Sequence, residues 1–169
     1  GDGMYNQVDP TDSRWVYNTR ELGNHGRLDQ RTGQRTVIAP SRSPQHRYNW
    51  IAPIVLSPHN PQIIYAGAEL LYRSLNRGDT WEEISGDLTT NDPAKCGVGS
   101  GNVPYCNITS ISESPVRAGT IWVGTDDGKV HVTRSHGGTW TEVTPALVAT
   151  GAPGDRAVSR VFASPHDAD

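Results

Sequence analysis

The sequence of 169 residues is poor in several residue types that mark common function classes: it holds one Met, one Phe and two Cys. Lysine is scarce as well, and the formal net charge is −3. Because nucleic-acid binding depends on a basic surface, this balance predicts no nucleic-acid partner. No apolar run approaches the roughly 18 residues needed to cross a bilayer, so the sequence also predicts no transmembrane segment.

What the sequence has in quantity is turn-forming and β-favouring residues. Gly (18) and Pro (12) are abundant, and five Trp and six Tyr provide large side chains for a core. Valine, with 14 residues, outnumbers leucine, with 8, and β-branched side chains suit a pleated sheet. No stretch of helical length repeats its apolar residues with helical periodicity. The composition therefore predicts a folded, turn-rich, all-β domain.

The two cysteines, Cys96 and Cys106, are separated by nine residues that include three glycines. A disulfide across this loop is expected, and it would contribute roughly 2–3 kcal/mol by restricting the unfolded chain. Disulfides persist in oxidising compartments, so this pairing favours a secreted or periplasmic location. Two cysteines without a nearby histidine pair predict no metal site. No glycine-rich phosphate loop is present, and no cofactor is predicted.

An internal repeat organises most of the chain. Three copies contain two apolar residues three positions apart and then Ser-Pro, and they cover 51–58, 108–115 and 158–165. Seven residues after the serine, two copies carry a β-branched residue followed by an aromatic residue, and a glycine stands two positions after the aromatic residue. These residues are Ile64-Tyr65 with Gly67, and Ile121-Trp122 with Gly124. An earlier copy starts at Asp9-Pro10, with Val16-Tyr17 at the same spacing but without the glycine. The period of the repeat is 48 to 57 residues.

Each unit of the repeat divides into four short strands. The first strand ends at the Ser-Pro, since proline lacks the N–H that a sheet ladder needs. Asp127-Gly128, which lies between two apolar runs, is a strong hairpin signal. Four short strands in every ~50 residues are typical of a β-propeller blade. The predicted fold is an all-β β-propeller segment of about three four-stranded antiparallel blades, expected to be part of a larger propeller of six to eight blades.

The turn before the last strand of a unit carries a specific motif. The stretches 74–81 and 133–140 both fit Ser/Thr-x-Asp/Asn/Ser-x-Gly-x-Thr-Trp. The motif positions are Ser74, Asn76, Gly78, Thr80, Trp81, Thr133, Ser135, Gly137, Thr139 and Trp140. The short polar side chain at the third position is suited to accept hydrogen bonds from the turn, and the glycine suits positive φ. We expect these residues to stabilise the fold rather than to form a catalytic site.

This motif resembles the Asp-box, also called the bacterial neuraminidase repeat, of sialidases, sortilin-type receptors, xyloglucanase-type glycoside hydrolases and a photosystem II assembly-factor propeller. The chain also resembles large secreted bacterial proteins with sortilin-type propellers that are often labelled glycosyl hydrolases. The first motif has Asn76 in place of the family's Asp, the second has Ser135, and residues 29–33 resemble a further, eroded copy. The resemblance implies that these turns lie on the outer rim of one face, away from the central channel.

The repeat predicts how the chain is divided, and it predicts that the chain is a segment of a longer propeller. The expected segments are a partial blade or blades with the eroded Asp-box (1–48), a blade with an Asp-box (49–91), an inter-blade loop closed by the disulfide (92–107), a blade with an Asp-box-like turn (108–150) and the first strand of a truncated blade (151–169).

Candidate binding residues follow from the direction of the strands. Because antiparallel strands alternate, the connections between blades are expected on the face opposite the Asp-box turns. These connections, at 39–50, 87–107 and 147–157, are the longest loops, and long loops on a rigid scaffold commonly bind partners. The residues that lead into an innermost strand at the channel mouth are the candidate binding residues: Arg47, Asn49 and Trp50.

The sequence favours a noncatalytic binding or scaffold propeller outside the cytoplasm, which would contact a protein or peptide and the rest of the same propeller. No catalytic residues are predicted. One alternative is a glycoside hydrolase of the xyloglucanase-like type, acting on a polysaccharide with two carboxylates that lie partly outside this segment. Asp87, Asp92 and Asp155 lie on suitable loops for that alternative. The other alternative, from the resemblance, is an assembly factor for a membrane complex.

Overall fold

The computed structural model describes residues 2–40, 45–96 and 105–167, which form three four-stranded antiparallel sheets. The first sheet consists of β1 (Gly3–Val8), β2 (Trp15–Arg20), β3 (Asn24–Asp29) and β4 (Arg35–Val37). The second consists of β5 (Ile54–Leu56), β6 (Ile64–Gly67), β7 (Leu71–Ser74) and β8 (Glu82–Glu83). The third consists of β9 (Ile108–Glu113), β10 (Ile121–Thr125), β11 (Val130–Thr133) and β12 (Thr141–Glu142), followed by a short helix, α1 (Thr144–Ala149). The all-β prediction of about three four-stranded sheets is confirmed.

The innermost strands end where the sequence predicts. β5 stops before Ser57-Pro58 and β9 stops before Ser114-Pro115. In both turns the serine hydroxyl accepts the main-chain N–H two residues on, at 3.2 Å from His59 and 3.4 Å from Val116. Proline offers no N–H for a ladder, and the serine side chain gives the turn its own hydrogen bond, so the strand cannot continue.

Neighbouring sheets pack face to face, and apolar side chains fill the two seams between them. Between the first and second sheets, the buried cluster is Tyr17, Ile38, Ile54 and Ile64. Between the second and third sheets, it is Tyr65, Leu71, Ile84, Leu88, Ile108, Ile111, Ile121 and Val123. Each such side chain is worth about 1.5–3 kcal/mol when fully buried, so the seams account for much of the stability.

The repeated glycines make room for the next sheet. A Cβ at Gly67 would lie 2.7 Å from the side chain of Ile108, and a Cβ at Gly124 would lie 2.5 Å from that of Val158. The main-chain N–H groups of Ile108 and Val158 donate to the carbonyl just beyond each glycine, at 2.7 and 2.9 Å. A larger residue at either glycine would push the neighbouring strand away, which explains why the glycine recurs at this offset.

The first sheet is more complete than the sequence predicts. A partial blade is expected within 1–48, whereas the structure has a full four-stranded sheet there. Asn6 and Asn18 face each other on β1 and β2 of this sheet. They hold the positions that Ile54 and Ala66 hold on β5 and β6 of the second sheet. These two asparagines interrupt the alternation of apolar residues from which strands are recognised, so the sequence signal is weak.

The segment 158–163, predicted as part of a first strand, runs beside β9 without forming a ladder with it. The main-chain N–H of Val161 donates to the Ser110 hydroxyl, and that of Ala163 to the Ser112 hydroxyl, both at 3.0 Å. The Val158 N–H donates to the Thr125 carbonyl, whereas the partners of Val161 and Ala163 are side chains of β9. Among the described residues, no helix has the length and apolar character needed to cross a membrane.

Candidate functional site

The strand directions sort the turns of the molecule into two opposite faces. Turns between the first and second strands and between the third and fourth strands of a sheet lie on one face. We call it the Asp-box face because it carries the turns at 74–81 and 133–140, which resemble the Asp-box and are called the Asp-box turns below. Turns between the second and third strands lie on the other face, together with the connections between sheets. We call this other surface the loop face, and its described parts are 21–23, 38–40, 45–53, 68–70, 84–96, 105–107, 126–129 and 143–157.

Two adjacent buried carboxylates hold the loop face together. Asp126 and Asp127, in the turn after β10, are 5% and 2% exposed. The Asp126 carboxylate accepts the main-chain N–H of Asn107 at 2.8 Å and the side-chain amide of Asn49 at 3.1 Å. The Asp127 carboxylate accepts both the main-chain N–H and the hydroxyl of Thr90 at 2.7 Å. One turn thereby fixes three separate loops.

Burial changes the acidity of this turn. It raises the pKa of the Asp126 carboxyl, against the hydrogen bonds from Asn107 and Asn49, which lower it. Burial is also the main cause of the raised pKa of Tyr105, whose hydroxyl donates to the Asp126 carbonyl at 2.7 Å. Perturbed pKa values are common at functional sites. Here both carboxylate oxygens of Asp126 already accept hydrogen bonds, so this group acts as an anchor for the loops.

A second set of bonds fixes the loop that enters the second sheet. The Glu69 carboxylate, in a residue that is 6% exposed, lies 2.6 Å from His46 Nδ1 and accepts the main-chain N–H of Arg47 at 2.7 Å. The Arg47 guanidinium donates to the Asp87 carboxylate at 2.7 Å and to the Cys106 carbonyl at 3.3 Å. Charge-assisted bonds of this kind are stronger than neutral ones, so the loop is held from both sides.

The predicted disulfide joins Cys96 to Cys106, with 5.1 Å between their Cα atoms. The two sulfurs and the Asp127 carboxylate lie within 4.8 Å of one another, which is a spacing that metal ligands also adopt. Metals bind the thiolate form of cysteine, and both sulfurs here are bonded to each other. The group therefore fits a covalent cross-link. Residues 97–104 of the predicted inter-blade loop lie outside the described residues.

The three predicted binding residues all lie on the loop face. Arg47 and Asn49 direct their polar groups to other parts of the chain, so in this structure they position the loop. Trp50 is half-buried, and its carbonyl accepts the main-chain N–H of Leu22 at 3.3 Å. Leu22 and Ile51 are 37% and 48% exposed. We call Leu22, Trp50 and Ile51 the apolar patch of the loop face.

The two Asp-box turns use their polar side chains within the turn. In the first, the Asn76 side-chain oxygen accepts the main-chain N–H of Thr80 at 2.9 Å, and the Ser74 hydroxyl accepts that of Gly78 at 2.8 Å. The second turn repeats both bonds, at 2.9 and 3.1 Å, in the pairs Ser135–Thr139 and Thr133–Gly137. Serine thus replaces asparagine as the acceptor without loss of the bond.

The tryptophans of these turns link neighbouring sheets. Trp81 Nε1 donates to the carbonyl of Ile38, and Trp140 Nε1 donates to the carbonyl of Ile84, both at 2.8 Å. Each isoleucine directly follows the outermost strand of the preceding sheet. The two tryptophans therefore occupy equivalent environments, and the eroded copy at 29–33 has no tryptophan to do the same.

The three aspartates that the glycoside hydrolase alternative would use, Asp87, Asp92 and Asp155, each contact another group of the chain. Asp87 pairs with Arg47 at 2.7 Å, and Asp155 lies 3.6 Å from Arg156. Asp92 accepts a main-chain N–H two residues further on at 2.9 Å. In each case the group in contact is an arginine or a main-chain N–H.

Sequence reasoning missed Glu69 as a member of this site. The residue stands in the run Ala68-Glu69-Leu70-Leu71, where a single charge among apolar residues is a weak signal of a buried, paired carboxylate. Its partners, His46 and Arg47, are 23 and 22 residues away in sequence, so the pairing is visible only in the folded chain.

No protein-family model matches the sequence, and no curated protein matches it. Among solved structures, an auxiliary nutrient binding protein from Bacteroides thetaiotaomicron has a TM-score of 0.61 at 10% identity, over 98% of this chain and 34% of that chain. An ancestral GH74 enzyme has a TM-score of 0.56 at 16% identity, over 84% of this chain and 18% of that chain. YCF48 from Cyanidioschyzon merolae has a TM-score of 0.50 at 12% identity, over 89% of this chain and 40% of that chain.

These likenesses concern the fold alone, since every identity is low. The chain spans 18% to 40% of the length of these three solved structures. The similar structures agree with the three blade-like sheets of this chain. The predicted resemblance to a partial β-propeller of the kind found in these structures is confirmed.

Proposed function

We propose that this chain belongs to a noncatalytic binding propeller that acts outside the cytoplasm and contacts a protein or peptide partner through its loop face. The observation that carries the proposal is a loop face whose described loops are joined by hydrogen bonds and which carries the apolar patch. The buried Asp126-Asp127 turn and Glu69 fix the surrounding loops, so little loop entropy would be lost when a partner binds.

The location outside the cytoplasm is supported by the disulfide between Cys96 and Cys106. Such cross-links are rare in cytosolic proteins, where thiols are kept reduced. The fold itself does not select a function, because propellers host many chemistries. The similar structures include one described as an enzyme and one described as a nutrient binding protein.

The test compares two exposed apolar residues on opposite faces. Ile51 belongs to the apolar patch and is 48% exposed, while Leu75 lies in an Asp-box turn and is 56% exposed. A photo-crosslinking side chain at each position, in cells that export the protein, would capture the partner for identification. The purified partner is then titrated against Ile51→Asp and Leu75→Asp.

A charge placed in an apolar contact of an interface costs about 1.4 kcal/mol or more, which is a tenfold loss of affinity. We therefore expect Ile51→Asp to weaken binding at least about tenfold and Leu75→Asp to change it less than about twofold. The reverse order would place the partner on the Asp-box face and contradict the proposal. Hydrolysis of xyloglucan, β-glucans or sialosides that is lost on Asp87→Asn would instead favour the glycoside hydrolase.

A further inference from the structure

The disulfide of the loop face lies against a buried carboxylate. The Cys96 and Cys106 sulfurs and a carboxylate oxygen of Asp127 lie within 4.8 Å of one another. Cys106 is fully buried and Asp127 is 2% exposed, whereas Cys96 is half-buried, so solutes can approach this group from the side of Cys96. Thiolates and carboxylates are both ligands that Zn²⁺ uses in proteins. The three side chains therefore resemble a zinc ligand set in which the two sulfurs are joined to each other.

The Asp127 carboxylate is held in place by neutral groups. One of its oxygens accepts the main-chain N–H and the hydroxyl of Thr90, both at 2.7 Å, and the other accepts the hydroxyl of Thr125. These described partners carry no positive charge, and a buried carboxylate is costly without a cation beside it. Carboxylates that bind metal ions are commonly oriented by hydrogen bonds of this kind. The surroundings of Asp127 therefore suit a cation at its side.

The two cysteines are also fixed by bonds that do not involve their sulfurs. The Cys96 N–H donates to the Asp92 carbonyl at 2.8 Å. The Cys106 carbonyl accepts the Arg47 guanidinium at 3.3 Å. Because these main-chain bonds do not depend on the S–S bond, both cysteines should stay close to Asp127 when that bond is absent. The ligand set would then be arranged in advance, which lowers the cost of binding an ion.

We propose that the reduced chain binds one Zn²⁺ ion here, with the Cys96 and Cys106 thiolates, the Asp127 carboxylate and a water molecule as its four ligands. A newly synthesised chain is in this dithiol state before its disulfide forms. An oxidised chain returns to it when a dithiol reductant gives two electrons and two protons to the S–S bond and itself becomes a disulfide. Zn²⁺ then displaces one proton from each thiol into solvent.

The test is a zinc titration of the whole 169-residue chain in both redox states. The chain is reduced with dithiothreitol, separated from it without oxygen, and titrated with Zn²⁺ in competition with a chromophoric chelator. We expect the reduced chain to bind one Zn²⁺ with a dissociation constant of about 1 μM or tighter. The oxidised chain has no thiolates to offer, so it should bind at least about 100-fold more weakly. Saturating Zn²⁺ should raise the melting temperature of the reduced chain by at least about 5 °C.

Three variants of the reduced chain identify the ligands. Asp127→Asn keeps an oxygen that can accept the Thr90 donors but removes the charge, so it should weaken zinc binding at least about tenfold. Cys96→Ser removes one thiolate and should abolish binding at this affinity. The matched control is Asp155→Asn, at a carboxylate of the same face whose side chain is 76% exposed. It should change the dissociation constant by less than about twofold.

Several outcomes would overturn the proposal. One is a reduced chain that keeps its circular dichroism spectrum and binds no Zn²⁺ at about 1 μM. Another is equal affinity in the wild type and in Asp127→Asn, since the ion is then held by the cysteines alone. A third is one Zn²⁺ for every two chains, since the ligands then come from two copies. If the chain unfolds on reduction, Zn²⁺ should restore its spectrum and its melting transition, and failure to restore them also overturns the proposal.

Discussion

His25 is a titratable residue enclosed by the first sheet and the loop that leads to the second. It is 1% exposed, its Nδ1 lies 3.2 Å from the Thr19 hydroxyl, and its ring meets that of Tyr48 edge to face. Its Nε2 has no hydrogen-bond partner among the described residues. Burial without a partner for the charged form lowers the pKa of His25 to about 4.

This low pKa predicts a loss of stability in mild acid. Between the ordinary histidine pKa of about 6.5 and the folded value, the unfolded chain binds a proton that the folded chain does not. The free energy of unfolding should therefore fall as the pH drops from 7 to 4, by up to about 3 kcal/mol from this residue. Urea denaturation of the wild type at pH 7 and pH 4.5 measures the fall.

The contribution of His25 is isolated by His25→Phe, which keeps a ring against Tyr48 but does not titrate. The fall in unfolding free energy should be smaller in this variant than in the wild type by about 2 kcal/mol. His166→Phe, at an exposed position, is the matched control and should leave the fall unchanged. An equal fall in the wild type and in His25→Phe would show that His25 is not buried in its neutral form.

At the scale of elements, the two Asp-box turns act as couplings between sheets rather than as isolated turns. In each, the glycine also lies against the preceding sheet: a Cβ at Gly78 would lie 2.8 Å from the Ile38 side chain, and one at Gly137 would lie 2.6 Å from the Ile84 carbonyl. The same isoleucine receives the indole N–H of the tryptophan. One residue of the preceding sheet therefore meets both the glycine and the tryptophan of the turn.

Removing one indole N–H should weaken a single seam. Trp140→Phe keeps an aromatic ring but leaves the Ile84 carbonyl without its donor, and we expect a loss of about 1–2 kcal/mol in the free energy of unfolding. Trp81→Phe should cost a similar amount through Ile38. Leu75→Ala, in an exposed part of the Asp-box turn, should change stability by less than about 0.5 kcal/mol. A loss no greater than that of Leu75→Ala would contradict the coupling role.

The sequence predicts these elements well wherever the signal is local. Ser57-Pro58 and Ser114-Pro115 mark strand ends because proline acts on its own backbone. The Asp-box turns are recognisable because their hydrogen bonds close within four residues of sequence. The first sheet is harder to recognise, since Asn6 and Asn18 stand where the other sheets are apolar.

The loop face could not be assembled from the sequence because its contacts are long-range. Asn49 meets Asp126 across 77 residues, and Arg47 meets Asp87 across 40. The sequence indicates Arg47 and Asn49 by their place before an innermost strand, which is information about topology and not about side-chain contacts. Whether a polar side chain points to solvent or to a distant carboxylate depends on how the loops pack, and no local pattern carries that information.

At the scale of the whole molecule, the three sheets form a row in which only the second has neighbours on both sides. Every residue of β6 is buried, and the two apolar seams lie on its opposite faces. The first sheet presents asparagines on its outer side, and the third presents the half-covered Trp122. In repeat proteins, stability is approximately a sum over units and interfaces, so units with one interface open more readily.

This arrangement predicts a gradient of backbone protection along the row. Hydrogen exchange of the main-chain amides, corrected for intrinsic rates, should be slowest in β6 and at least about tenfold faster in β2 and β10, because opening an outer sheet breaks one seam and opening the middle sheet breaks two. Equal protection in all three strands would mean that the sheets open as one cooperative unit.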